Sequence, residues 1–150
     1  MAKFVYRMQN ILNIKQKLET QAKMTYGLAN QKYLEQQKIL QEYMVRRVGY
    51  EQHWKKLMQG NLNLQEVEHA RADVNAMKTI VRRQMVEVHK AEKELEDARN
   101  RLKTVMQERK VQEKLREKAF EEFKQELAEA ETKEIDELVS YTYNKGEQGE

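Results

Sequence analysis

The feature that most constrains this chain is an apolar stripe that recurs at alternating intervals of three and four residues. The interval averages 3.5 residues, which keeps one seam facing a partner as two helices supercoil. Eleven of its twelve positions are apolar, and charged residues fill the positions between them. The stripe therefore predicts a long helix that needs a second helix along one side. Its members are Val67, Ala70, Val74, Met77, Val81, Gln84, Val88, Ala91, Leu95, Ala98, Leu102 and Val105.

The composition fits such a helix pair better than a thick globular core. Charged residues make up 35% of the 150 positions and hydrophobic residues 39%. The chain has no proline, so nothing forces a helix to break. It has no cysteine, which excludes disulfides, thiolate nucleophiles and thiolate metal sites.

The opening residues MAKFVYRMQN carry Lys3 and Arg7 and lack the uninterrupted apolar run of a secretory signal. No later stretch is long and apolar enough to cross a bilayer. A cytoplasmic location is therefore the default expectation.

A first helix is predicted from residue 2 to about residue 58. Gly27 and Gly49 lie inside it, and we expect them to let a bulky neighbour approach closely. Its seam is Val5, Met8, Leu12, Lys15, Glu19, Ala22, Tyr26, Ala29, Tyr33, Gln36, Leu40, Tyr43, Arg47, Tyr50, Trp54 and Leu57.

The one strong break is the segment 59–63, QGNLN. Gly60 suits the left-handed position after a helix, and Asn63 with Glu66 resembles a capping box for the next helix. So short a turn folds a second helix, predicted over 64–141, back antiparallel on the first. Facing residues should then have numbers that sum to about 122, and the second helix should overshoot by about twenty residues.

The predicted fold class is therefore all-α, with two long helices in one antiparallel coiled-coil hairpin over residues 1–143. Residues 144–150 are expected to form a disordered tail. The charge agrees with this arrangement. Residues 1–60 carry a net charge of +7 and residues 111–150 carry −6, so the two chain ends should attract each other.

No arrangement of residues predicts an enzyme, a cofactor site or a metal site. Glu66-x-x-His69 is half of a di-iron helix motif, and the second copy that the motif requires is missing. His53, His69 and His89 lie outside the seam and should be solvated.

Pairs such as Arg46-Arg47 are interleaved with acids and belong to no base-reading module, so we expect no nucleic-acid partner. The basic, apolar first turns could lie on a membrane surface, but the same residues fit the seam.

Two groups of apolar residues exceed what the seam needs and favour protein binding. One is at mid-hairpin, where the alternative is scattered surface residues. The other is a stripe in a new phase on the overshooting part of the second helix, which must bind a protein, self-associate or fray. The first group is Met44, Val45, Val48, Ile80, Met85 and Val86; the second is Phe120, Phe123, Leu127, Ala130, Ile135 and Leu138.

The opening Phe4-x-Tyr6-Arg7-Met8-Gln9-x-Ile11-Leu12-x-Ile14-Lys15, in a cysteine-free, charge-rich chain of this length, resembles the FliJ family of flagellar export proteins. The resemblance implies a cytoplasmic component of the flagellar type III export apparatus, peripheral at the inner membrane and needed for motility. It also implies a coiled coil like the stalk of rotary ATPases, which binds the hexameric export ATPase at its ring centre, links it to the membrane export gate and handles export chaperones.

The resemblance also implies where the two main partners bind. The end of the hairpin that holds the first and last parts of the chain would enter the ATPase ring, and membrane association would come only through partners. The export gate would bind the middle of the hairpin, where Arg47 stands in place of the aromatic residue that the family resemblance leads us to expect. The candidate ATPase contacts are Phe4, Arg7, Met8, Leu12, Phe120, Phe123, Leu127, Ile135 and Leu138. The candidate gate contacts are Gln36, Leu40, Tyr43, Met44, Arg47, Val48, Ile80 and Met85.

A structural coiled-coil spacer or homodimerising adaptor without an ATPase partner is the alternative interpretation. A membrane-surface or nucleic-acid adaptor is a third class, and an enzyme is the least favoured.

Overall fold

The structure is a computed structural model that describes residues 2–148. Two helices account for nearly all of these residues: α1, Gln9–Leu57, and α2, Leu64–Gln148. The fold is all-α, an antiparallel coiled-coil hairpin whose second helix is the longer, as the periodicity predicts. Its contacts divide the described chain into two units, residues 20–104 and residues 2–19 with 105–148.

In the unit formed by residues 20–104, α1 packs on the predicted seam of α2. Every seam residue of α2 between Val67 and Leu102 is buried or half-buried. Lys32 pairs with Glu94, whereas Gln36, one turn later, meets Gln84. The α1 numbers rise as the α2 numbers fall, so the helices are antiparallel, and the sums of 126 and 120 bracket the predicted 122.

In the unit formed by residues 2–19 and 105–148, the same direction and register hold. Lys15 pairs with Glu108, and Gln9 accepts a hydrogen bond from Arg116. Leu12 and Val105 are buried at the centre of this packing.

The connection between the helices has the chemistry that its sequence predicts. Gly60 has a φ of 86°, in the left-handed region where a side chain would be strained. The Asn63 side chain accepts a hydrogen bond of 3.1 Å from the backbone N–H of Gln65 at the start of α2. This bond satisfies one of the N–H groups that a helix N-terminus leaves without partners.

Both outer helix ends differ from their predicted positions. Helix α1 begins at Gln9 rather than residue 2. Helix α2 continues to Gln148 rather than ending near 141, so residues 144–148 are helical, while 149 and 150 lie outside the described residues. No proline stops α2, and Lys145 in its last turn suits the negative end of the helix dipole.

The expectation for the two glycines inside α1 is wrong. A Cβ atom added at Gly27 or Gly49 would meet nothing within 4 Å. Neither glycine has a positive φ. They therefore permit no close approach within the described chain, and they only make α1 less stable.

Alanine substitutions at three glycines should change stability in opposite directions. Gly27→Ala and Gly49→Ala should each raise the free energy of unfolding by about 0.5–1 kcal/mol, because alanine restricts the unfolded chain and fits a helix. Gly60→Ala should lower it by about 1–2 kcal/mol, because its φ is left-handed. Urea unfolding followed by circular dichroism measures all three, and a loss of stability at Gly27 or Gly49 would contradict the open surroundings described above.

Candidate protein-binding surfaces

Residues 2–8 form a non-helical segment, here called the strap, that packs on α2. The Phe4 ring lies 5.1 Å from the Phe120 ring and 5.5 Å from the Phe123 ring, measured between centroids. The guanidinium of Arg116 lies 5.9 Å from the centre of the Phe4 ring. The Tyr6 hydroxyl donates a hydrogen bond of 3.3 Å to the side chain of Gln112.

The strap corrects the prediction that Phe120 and Phe123 have no partner in the chain. A helix advances about 1.5 Å per residue and an extended segment about 3.3 Å, so a strap that leaves the helical path reaches further along α2. Phe4 thereby reaches Phe123, beyond the position near residue 118 that a helical path predicts. The predicted seam residue Val5 is instead 76% exposed.

Ion pairs connect the two helices near this cluster, at the end of the hairpin that carries the strap, here called the strap end. The carboxylate of Glu19, itself buried, pairs with the guanidinium of Arg109. Arg109 also donates a hydrogen bond of 2.7 Å to Glu113. Glu113 first, and Glu19 after it, raise the pKa of Arg109 above its ordinary value, so the guanidinium stays charged throughout the working range of pH.

Beyond the strap, α2 has no cover within the described residues of its unit. Every side chain from Lys124 to Glu147, here called the acidic extension, is exposed. It carries seven acidic and three basic residues, and Leu127, Ile135 and Leu138 stand among them. Leu138 is 65% exposed. An exposed apolar set on so long a helix is typical of a protein-binding surface.

The acidic extension contains three large exposed side chains that the sequence prediction did not include. They are Val139, Tyr141 and Tyr143. Val139 and Tyr141 lie inside the predicted helix but outside the predicted stripe, whereas Tyr143 lies beyond the predicted helix end near 141. The interval of three residues between Leu138 and Tyr141 was the available signal that the stripe continues.

The predicted gate residues lie in the unit of residues 20–104, and the structure brings some of them together. Tyr43 and Ile80 line one surface groove with Arg83, Val86 and Glu87. The guanidinium of Arg46 lies 5.9 Å from the centre of the Tyr43 ring.

A polar layer crosses the seam close to this groove. The Gln84 amide donates hydrogen bonds of 2.7 Å to the Gln36 side chain and 3.0 Å to the Gln36 backbone carbonyl. Gln84 is buried, so the pair satisfies polar groups that an apolar seam would leave without partners. Gln36 is therefore committed to the partner helix, and its backbone position helps to fix the register.

The remaining candidate residues differ in their availability to a partner. Met44, Val48 and Met85 are exposed, whereas Leu40 is half-buried and Arg47 is paired with Glu51. At the strap end, Arg7 and Met8 are exposed and line a surface groove with Phe123. Leu12 is only 3% exposed, so it belongs to the packing between the helices rather than to an accessible surface.

Comparison with known proteins supports the resemblance that the first residues carry. The model of a protein family described as flagellar FliJ protein matches residues 4–148. This chain belongs to the FliJ family. It is therefore a coiled-coil component of the flagellar and type III export apparatus.

The solved structures include one with the same fold, a YscO homolog, CT670, from Chlamydia trachomatis. The TM-score is 0.70 at 19% sequence identity, with 99% of this FliJ-family chain and 100% of the other covered. At that identity the likeness concerns the fold alone. No curated protein matches the sequence.

The described part of this FliJ-family chain contains no group of three or more His, Cys, Asp or Glu residues that could hold a metal ion. His53 and His69 do line one open depression beside the turn, with Glu66 and Asp73. Among residues 2–148, neither helix has a stretch apolar enough to cross a membrane.

The buried ion pair of the strap end should matter more for stability than an exposed one. Glu19→Ala should lower the thermal midpoint by about 5 °C, because it removes a buried carboxylate from Arg109. Lys32→Ala should change it by about 1 °C or less, since its pair with Glu94 is more than half exposed. Thermal melting followed by circular dichroism compares the two variants, and equal shifts would contradict this ranking.

Proposed function

We propose that this protein is a stalk-like adaptor that binds the hexameric flagellar export ATPase through the face of α2 at Phe120 and Phe123, which the strap contacts, and through the acidic extension. The main support for this proposal is the acidic extension, a run of exposed helix whose apolar side chains have no partner among the described residues. Membership of the FliJ family supports a role in export, and the ATPase is the partner that the resemblance of the first residues implies.

The proposed mechanism is mechanical and allosteric. A single chain inside a six-fold ring cannot contact all subunits equally, because it lacks the symmetry of the ring. Contact with some subunits makes them inequivalent, and it biases their nucleotide states by the difference in affinity between those states. The adaptor itself carries out no chemical step and needs no cofactor.

We propose that the export gate binds the middle of the hairpin. The groove between Tyr43 and Ile80, with Met44, Val48 and Met85 exposed on the same unit, is the candidate surface. Methionines adapt to different partners, and aromatic residues carry much of the energy in protein interfaces. The protein would then work in the cytoplasm at the inner membrane, held there by its partners and exchanging export chaperones.

The second candidate function is a homodimerising spacer, favoured by the same exposed extension. Light scattering separates the two possibilities, because a spacer would give a dimer through the extension whose mass depends on concentration, whereas the adaptor requires binding to the ATPase.

Shortening two exposed side chains should weaken the ATPase interaction without unfolding the hairpin. Leu127→Ala with Leu138→Ala should reduce the affinity for the export ATPase of the same flagellar system about tenfold, a loss of about 1.4 kcal/mol. The control is Met24→Ala with Leu28→Ala, which removes equally apolar, exposed side chains from α1. Equal affinity for wild type and the Leu127/Leu138 variant would refute the assignment of the extension.

A charge placed at mid-hairpin should separate gate binding from ATPase binding. Val48→Asp should weaken binding to the cytoplasmic part of the export gate about tenfold, because a carboxylate would be desolvated in an apolar interface. Its affinity for the ATPase should not change. Ser140→Asp on the extension is the matched control for added charge, and it should leave the affinity for the gate unchanged. Loss of both interactions with Val48→Asp, or of neither, would contradict two separate surfaces.

A further inference from the structure

We infer that the strap is a removable cover over the Phe120–Phe123 face of α2. The ATPase segment that replaces the strap would resemble it, with an apolar or aromatic side chain between two basic residues. The inference rests on the proposed function, because the covered face is continuous with the proposed ATPase surface. It adds the kind of partner segment that binds there and a step that must precede binding.

The first observation is the match between the strap and the face it covers. A surface groove of about 650 Å³ is lined by residues 3–8 on one side and by Ala119, Glu122, Phe123 and Glu126 on the other. The strap supplies two cations, Lys3 and Arg7, which stand before and after Phe4 in the sequence and line the groove with it. The groove lining on α2 supplies the carboxylates of Glu122 and Glu126 and the Phe123 ring, which complement the strap in charge and in apolar contact, while the Arg116 guanidinium of α2 lies near the Phe4 ring.

The second observation is that the pattern of apolar side chains between carboxylates continues along α2 past the strap, where no other described residue covers it. From Leu127 onward, apolar side chains recur between carboxylates to Leu138 and Tyr141. Even beneath the strap, Phe120 remains 39% exposed. A basic, apolar partner segment that lies along the extension would therefore gain the Phe120–Phe123 face if Phe4 left it.

The third observation is that little holds the strap in place. Its side-chain contacts with α2 include the Phe4 ring cluster and the Tyr6–Gln112 bond. The backbone carbonyls of Tyr6 and Met8 accept hydrogen bonds of 3.1 Å from Gln9 and Leu12, and the Phe4 ring can leave α2 while both of these bonds and α1 stay in place. A partner that competes with a closed strap binds with an apparent affinity that is reduced by the fraction of molecules in the open state.

The test removes the cover and leaves the face intact. Phe4→Ala should tighten binding to the export ATPase about three- to tenfold, because more molecules are then open. Val5→Ala, in the same segment but with an exposed side chain, should leave the affinity unchanged. Phe123→Ala should weaken binding. Raising the salt concentration should weaken binding by wild type and by Phe4→Ala, because the partner segment is basic.

A second measurement follows the cover without the ATPase. The protein has no cysteine, so Ala119→Cys places a single thiol in the groove beneath the strap. Adding Phe4→Ala should increase the rate at which this thiol reacts with a maleimide severalfold, and adding Val5→Ala should not. Adding the ATPase to the Phe4→Ala protein should lower the rate of the same thiol again, because the partner segment then occupies the groove.

The outcomes separate this inference from the proposed function. Weaker ATPase binding by Phe4→Ala would make Phe4 a direct contact, which overturns the removable cover and keeps the ATPase assignment. An unchanged affinity and an unchanged thiol rate would also overturn the cover. If no form binds the ATPase, the proposed function fails together with the partner half of the inference, and the thiol rates alone decide whether the strap covers the face. A dimer formed by Phe120–Phe123 receiving the strap of a second copy would overturn the intramolecular cover.

Discussion

The burial of the α2 seam against α1 is the interaction on which everything else in this protein depends. A helix as charged as α2 gains little from its outer faces, so its stability comes from the one apolar line that α1 covers. Val74, Val81 and Val105, the largest side chains that are completely buried among the described residues, all lie on that line. Beyond the first residue of α1 only the strap still packs on α2, and exposed surface begins past the strap. The division between structural and binding residues therefore follows from the unequal lengths of the two helices.

The seam also decides which polar residues are structural. Gln84 lies at a position that the heptad repeat reserves for apolar side chains, and its side-chain amide donates hydrogen bonds to Gln36 on the facing helix. Glu19 and Arg109 form a second polar contact between the helices at the strap end, where Arg109 also bonds Glu113. Sliding α1 by one turn would move Gln36 away from the buried Gln84, so that pair favours a single register. Within its own unit, the pair of Glu19 with Arg109 favours the alignment that places the strap opposite Phe120 and Phe123.

The features that could be predicted from sequence are those that periodicity and local chemistry determine. The seam, the direction and register of the hairpin, Gly60 and Asn63 all follow from spacing or from the needs of one turn. The strap could not be predicted in this way, since Val5 and Met8 continue the heptad pattern whether or not they are helical. What decides against a helix there is the contact of Phe4 with two rings more than a hundred residues away, which no local pattern encodes. The role of Leu12 was likewise ambiguous, because the same spacing describes a buried seam residue and an apolar residue offered to a partner.

The same ambiguity explains why an apolar stripe alone identifies no partner, and why the charges around it are more informative. The face of α2 at Glu122 and Glu126 and the extension beyond it would repel a second acidic extension laid against it in parallel, which disfavours the simplest homodimer. The strap, by contrast, brings cations and an aromatic ring to that face within the chain itself. A protein that keeps its binding face covered by a short segment of matching chemistry binds strongly only to partners that outcompete that segment. Selectivity then comes from the strap and the face together, because each partner is compared with an alternative that is always present at high effective concentration.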